Sequence, residues 1–238
     1  MPRSALFLAL FVAACASGGD PVVRLPPGQE AEARAMMQDL EQTGALARFH
    51  DVITRMVPLA EGECRARTSG VNCGLHVMLD ISPDEPPNAY QLLDRNDRPV
   101  IVFTASLLQD VRNADELALV LGHEVAHHIL GHVSHSRDMI REGALLSGMQ
   151  AAVHGASTEE RHAAEMRGAL RSMLRYSKQF EFQADELGTV ISHRAGFDPV
   201  RGAEYFVRMK SPRNRFLVTH PPNRARREAV RRLAGRLE

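Results

Sequence analysis

Tryptophan is absent from this chain, aromatic residues make up only 5% of it, and there are three cysteines. Its 29 basic and 29 acidic side chains cancel to a formal net charge of zero. That balance offers no electrostatic footprint for nucleic acid, whose binding needs an excess of Lys and Arg facing phosphate. Arg224, Arg226, Arg227, Arg231 and Arg232 do cluster, but they interleave with apolar positions and read as the solvated face of a terminal helix. Long hydrophobic runs are lacking too. Ala5 to Ala14 is apolar but too short to span a bilayer, and Gln150 and His154 interrupt the small, apolar stretch from Gly143 to Gly155. Cys64 and Cys73 do not have metal-ligand spacing. No internal repeat is visible. A length of 238 residues allows one domain with an extension and ample material for a core.

What is present is His123-Glu124-Val125-Ala126-His127, an HExxH pattern inside an apolar segment. Residues four apart on a helix share a face about one turn apart, so two imidazoles can hold one zinc ion while the intervening glutamate takes a proton from water. Leu117, Val120, Leu121, Val125 and Ile129 recur at helical spacing, with Asp115 and Glu116 near the start, where the helix dipole favours acids. Gly122 costs about 1 kcal/mol relative to Ala inside a helix, which makes sense if something must approach the backbone closely there.

A catalytic zinc site usually takes three protein ligands and leaves one position open. A metzincin would place its third His ten residues after the first and a Gly seven after it; those positions are Val133 and Leu130, which excludes that class. His128 and His132 read as residues behind the ligands or on the surface. The alternative third ligand is a glutamate on a later helix. In Phe180-Glu181-Phe182-Gln183-Ala184-Asp185-Glu186-Leu187-Gly188, Glu181 and Asp185 stand at i and i+4, so one carboxylate can bind zinc while the other orients a ligand histidine from behind. Ala184 and Gly188 are small enough for two helices to pack closely.

With these motifs the chain resembles the zinc metallopeptidases of the CAAX-prenyl-protease, HtpX and Oma type. The likeness rests on Leu117-Ala118 before the HExxH residues, His132 after them and Glu181-x-x-x-Asp185 downstream. It extends to Pro87-Asn88-Ala89-Tyr90, Val100 to Thr104, Ala195-Gly196-Phe197-Asp198-Pro199 and Thr219-His220-Pro221-Pro222, covering roughly residues 75–232. The resemblance implies an α+β, mainly α, zincin-like (gluzincin) domain with a small sheet beside the HExxH helix. It implies one Zn2+ per chain on His123, His127 and Glu181, with Glu124 as general base and polypeptides as substrates. By their place in the His-Pro-Pro segment, His220 and Arg226 become candidates for stabilising the oxyanion, and His220 could instead reach the zinc and gate it.

Arg3 followed by the apolar stretch reads as a signal peptide over residues 1–14, and Val12-Ala13-Ala14-Cys15 resembles a bacterial lipobox, with Cys15 as the lipidated residue. That leaves Cys64 and Cys73 as an even pair able to form a disulfide in an oxidising compartment. Ala16 after the cysteine favours an outer-membrane lipoprotein on the periplasmic side. Residues 15–28 read as a tether and 29–238 as the peptidase domain.

Within that domain a helical pattern runs from Gln29 to about Val57, with Gly44 a possible break and Met36, Leu40, Leu46, Phe49 and Ile53 on its buried side. A polar loop is expected over Gly62 to Asn72, a strand at Leu75 to Leu79, and two more strands ending with Pro99 to Thr104. The last is a candidate edge strand for pairing with an extended substrate, or else a core strand. Residues 133–180 read as a soluble or mobile helical insert. A helix from Pro199 to about Met209, a loop carrying His220 and a final helix from Asn223 complete the chain. The function expected is zinc-dependent endopeptidase action on extended or misfolded envelope proteins, in protein quality control. Its rivals are a chaperone-like, non-proteolytic assembly factor using the same groove and a prenyl-peptide processing enzyme, the latter disfavoured because no segment spans a membrane.

Overall fold

The computed structural model describes residues 9–10, 28–208 and 224–237. The fold is mainly helical with one small sheet, as the sequence led us to expect. Helices α1 (Gln29–Gln42) and α2 (Ala45–Arg67) replace the single helix expected, and the break falls at Gly44, whose φ of 71° is the left-handed conformation glycine adopts without penalty. Leu40 and Phe49 are buried, whereas Met36, Leu46 and Ile53 are partly buried against the core.

Helix α2 continues to Arg67, six residues into the segment expected to be a loop, and the loop begins at Thr68. Ala60 and Cys64 continue its buried stripe, and Glu61–Arg65 (3.4 Å) and Glu63–Arg67 (2.8 Å) add i,i+4 ion pairs. Cys64 is therefore helical, and a disulfide joins it to Cys73.

Strands β2 (His76–Asp80), β3 (Ala89–Leu93) and β4 (Pro99–Thr104) form the sheet, and a two-residue strand, β1 (Ala9–Leu10), lies antiparallel on the outer side of β2. β4 is central: it pairs in parallel with β2 (His76 opposite Val100) and antiparallel with β3 (Ala89 opposite Phe103). The edge-strand reading of Pro99–Thr104 is thereby corrected. All six of its residues are buried, as expected of a nearly continuous apolar strand covered on both faces. The edge is β3. Its hairpin turn is held by Asp94, which accepts from the main chains of Asn96 (2.7 Å) and Arg98 (3.0 Å).

Helix α3 (Ala105–Asp110) leaves β4 directly, capped by the Thr104 hydroxyl. Helix α4 (Ala114–Ile129) then passes through the middle of the molecule, capped by Asn113, with all but three of its sixteen residues buried. Its first-turn acids do more than oppose the dipole. Buried Asp115 pairs with Arg201, and buried Glu116 with Arg208.

After a break at Leu130–Gly131 come α5 (His132–Val153) and the 37-residue α6 (Thr158–Arg194), which pack on each other as a hairpin; Ser157 and Glu160 form a capping box at the start of α6. The expected helix after Asp198 is two short pieces, α7 (Pro199–Gly202) and α8 (Glu204–Arg208); Met209 lies outside the described residues. Helix α9 (Arg224–Ala234) ends the described chain by packing on α6. No described helix is long and apolar enough to cross a membrane.

Candidate metal centre

Two helices build the site. His123 and His127 project from one face of α4, and their Nε2 atoms stand 3.1 Å apart. Glu181 reaches them from α6, with Oε2 3.6 Å from His123 Nε2 and Oε1 3.4 Å from His127 Nε2. Ligand atoms about 2.0–2.1 Å from a tetrahedral zinc lie about 3.3 Å from one another. The two nitrogens lie close to that separation, and each Glu181 oxygen lies within about 0.3 Å of it from one histidine, so these donors suit zinc. Among the described residues, these three side chains make up the one cluster able to hold a metal ion.

The approach of the helices depends on an absent side chain on each. A Cβ on Gly122 would meet the Gly188 carbonyl oxygen at 2.8 Å, and one on Gly188 would meet the His123 backbone nitrogen at 2.8 Å. The two glycines allow backbone to touch backbone beside the first ligand.

Behind the ligands lies a buried ionic network. Asp185 Oδ1 is 3.0 Å from His123 Nδ1, which turns Nε2 of that ring toward the cluster. Arg226 donates to both Asp185 oxygens (Nε to Oδ2 at 2.6 Å, Nη2 to Oδ1 at 2.7 Å), and its Nη1 lies 2.9 Å from Glu181 Oε2. The guanidinium also sits 4.7 Å from the Phe206 ring centroid. Burial alone would raise the Asp185 pKa, but the Arg226 hydrogen bonds and charge, with help from His123, hold it below the usual carboxylate range. Burial pushes His123 down to about 3, which keeps its ring neutral and its lone pair available.

Glu124 is 2% exposed, and burial pushes its carboxyl up to about 8. The Gln91 main-chain N–H donates to it and works in the opposite direction, as a bound cation would. This contact defines the free edge of the sheet. Even-numbered residues of β3 and its flanks turn their main chains to β4, as in the Asp94 N–H to Arg98 carbonyl and Thr104 N–H to Asn88 carbonyl bonds. The main-chain groups of Ala89, Gln91 and Leu93 therefore face away from β4, and that of Gln91 meets Glu124.

A family model for peptidase family M48 matches residues 49–234. The chain belongs to that family. The M48 match covers α2 to α9, and with them every side chain of the cluster and its backing network. Two curated relatives are the proteins named mitochondrial metalloendopeptidase OMA1 of Saccharomyces cerevisiae and of Schizosaccharomyces pombe. The first is 32% identical over 172 residues, 67% of this chain and 46% of the relative. The second is 29% identical over 154 residues, 62% of this chain and 44% of the relative. The chain thus spans less than half the length of these two relatives.

The structure brings together His123, His127, Glu181, Glu124, Asp185 and Arg226. Cys15 and His220 lie outside the described residues. Arg226 corrects one reading: it is 2% exposed, not part of a solvated face, because Arg226, Val230 and Ala234 share the buried side of α9. Its Nε, Nη1 and Nη2 are engaged by Asp185 and Glu181. Sequence reasoning put His128 and His132 behind the ligands or on the surface without assigning partners. His132 Nδ1 lies 2.9 Å from His127 Nδ1, and His128 Nε2 lies 2.8 Å from the Asn72 carbonyl oxygen.

Proposed function

We propose that the chain is a zinc-dependent endopeptidase that hydrolyses extended or misfolded polypeptides of the bacterial cell envelope, in protein quality control. The observation that carries this is the convergence of His123, His127 and Glu181 at separations close to those of ligands around one zinc ion, with an acid, Glu124, buried between the two histidines in sequence. When bound, zinc supplies Lewis acidity that polarises a scissile carbonyl and eases deprotonation of a water molecule.

Glu124 then takes the proton from the attacking water and hands it to the leaving amine, work for which an acid tuned toward neutrality is suited. Asp185 keeps the Nδ1 proton on His123, and Arg226 keeps Asp185 ionised and Glu181 in place. Arg226 is thereby bound to the carboxylates behind and beside the ligands, a positioning role. His220 remains the candidate for stabilising the oxyanion.

The outward edge of β3 is where an extended substrate would pair through its main chain, with little selectivity for sequence. Asn88 Oδ1, just before this strand, and Gln91 Oε1, on it, are buried with no hydrogen-bond partner among the described residues. A buried acceptor left unmet costs about 1–3 kcal/mol, which incoming donors would offset. The lipobox-like Val12–Cys15 supports attachment to the envelope through lipid at Cys15.

The chaperone-like alternative is disfavoured. A structural zinc site closes its fourth position with protein, and the cluster holds three ligands among the described residues. The test is cleavage of casein by the zinc-loaded protein beside its Glu124→Gln variant. The variant is expected to bind zinc and lose about 100-fold or more of the activity, the scale of general-base catalysis. Equal cleavage by both, or none by a zinc-bound wild type, overturns the reading.

A further inference from the structure

The first ligand histidine is backed by a carboxylate, and the second by another imidazole. His127 Nδ1 instead meets the imidazole of His132, which is itself buried. His132 would not stand there on an unbroken helix, where residues five apart are turned about 140° from each other. The chain leaves α4 at Leu130, takes a left-handed turn at Gly131 (φ 65°) and starts α5 with His132 folded back over His127. Two residues of α6 then fix that ring. Phe180 stacks on it, with centroids 4.3 Å apart and planes at 14°, and Gln183 Oε1 lies 3.1 Å from its Nε2.

The protons along this line follow from donor and acceptor roles alone. An amide oxygen only accepts, so His132 Nε2 carries the proton and, on a neutral ring, Nδ1 is bare. A nitrogen-to-nitrogen contact of 2.9 Å needs one proton between its ends, and His127 must supply it. Its Nε2 is then left with a lone pair 3.1 Å from the equally bare Nε2 of His123 and beside Glu181, an arrangement that calls for a cation between them and so is the form ready for metal. The first ligand is in the same state, because the Asp185 carboxylate accepts from His123 Nδ1.

We propose that His132, held by Gln183, is a positioning residue that locks His127 in the Nδ1–H tautomer and so prepares the second metal ligand. This rests on the zinc-site reading above. One stretch of α6, Phe180 to Asp185, thereby orients all three ligands: it supplies Glu181, backs His123 through Asp185, and backs His127 through Gln183 and His132. The second backing is neutral, which sets His127 apart from His123.

The test uses His132→Phe, which keeps the stacked ring and removes the acceptor, and His132→Asn, whose Oδ1 takes the place of Nδ1. Nitrogen-15 NMR of the metal-free protein reads the His127 tautomer, and chelator competition reads the affinity for Zn2+. In the Phe variant His127 is expected to move toward the Nε2–H form and zinc affinity to fall about 10–100-fold, the usual effect of losing a partner behind a ligand. The Asn variant is expected to keep the wild-type tautomer and bind zinc within about fivefold of wild type, since the acceptor is restored.

Should the Phe variant fail to fold, Gln183→Leu frees the His132 proton and must shift both readouts the same way by a smaller amount. A Phe variant with wild-type tautomer and affinity, an Asn variant as impaired as Phe, or a Gln183→Leu variant with neither readout shifted overturns the proposal. A wild type that binds no zinc would refute the metal reading, while the tautomer measurement would still decide the relay.

Discussion

Replacing Gly188 with alanine is expected to force α4 and α6 apart at the level of the metal ligands. The new Cβ would lie 2.8 Å from the His123 nitrogen and 2.9 Å from the Gly122 carbonyl carbon, both backbone atoms with no flexible end to swing aside. Restoring an ordinary contact of about 3.5 Å needs about 0.7 Å of movement between the helices. Glu181 stands seven residues earlier on α6, two turns away on the same face, and would be carried with it. A zinc site tolerates about 0.2 Å of error in its ligand distances, so Glu181 cannot keep its place against both histidines.

Overpacking costs about 1–3 kcal/mol, and alanine's better helix propensity returns about 1 kcal/mol, leaving a net loss of about 0–2 kcal/mol in the zinc-free protein. Zinc affinity should fall about tenfold or more, equivalent to 1.4 kcal/mol. Urea unfolding and chelator competition measure the two. Gly62→Ala is the control: a Cβ there meets nothing within 4 Å, so the same chemical change on α2 should stabilise by about 0.5–1 kcal/mol and leave zinc binding alone. A Gly188→Ala protein with unchanged zinc affinity and stability would refute the reasoning.

Arg226→Met leaves Asp185 and Glu181 buried without their cation, and urea unfolding should show a loss of about 3–5 kcal/mol, the cost of breaking a buried ion pair from one side. In the zinc-free protein, Glu124 titrates near 4.5 when unfolded and near 8 when folded, so its ionisation disfavours the fold increasingly between those values. Glu124→Gln should therefore gain stability over wild type as pH rises from 4.5 to 8, with no further gain above; a constant difference across that window would contradict the burial argument. His123 and His132 act in the opposite sense, since burial depresses them from 6.5 to about 3 and about 4, and stability should be lost as pH falls below 6.5 in thermal melts. Reducing Cys64–Cys73, which are nine residues apart, should cost about 2–3 kcal/mol if the loop-entropy account holds, seen as a lower melting temperature in dithiothreitol.

The zinc helix was legible because its ligands and its apolar stripe obey the same period, so the residues that hold metal and those that hold the core select one element. Glu181 and Asp185 were legible for the same reason, one turn apart on a single face. The sheet order was not. Strand pairing is a relation between distant segments, and only the uniformly apolar Val100-Ile101-Val102-Phe103 signals that β4 is covered on both sides. Cys64 falls in the expected loop because the residues around it are polar, and in the fold a stripe of buried residues supported by two ion pairs outweighs that local polarity. Arg226 was hidden among its neighbours, since five arginines close together suggest solvent; its spacing of four from Val230 and eight from Ala234 is the sign that it points inward. His132 depends on the Gly131 turn, and helical periodicity applied across that turn puts the ring on the wrong side.

Arg226 comes late in the chain. A polypeptide being synthesised exposes α4 and α6, with all three ligands, well before the cation that balances Asp185 and Glu181 leaves the ribosome. Until then Asp185 and Glu181 lack the cation that balances them, and α6 must hold the ligands together against that repulsion. The order of residues thus sets an order of assembly: the three candidate ligands meet first and the charge that steadies their carboxylates follows, so a fragment ending before residue 224 would carry every ligand but not that cation.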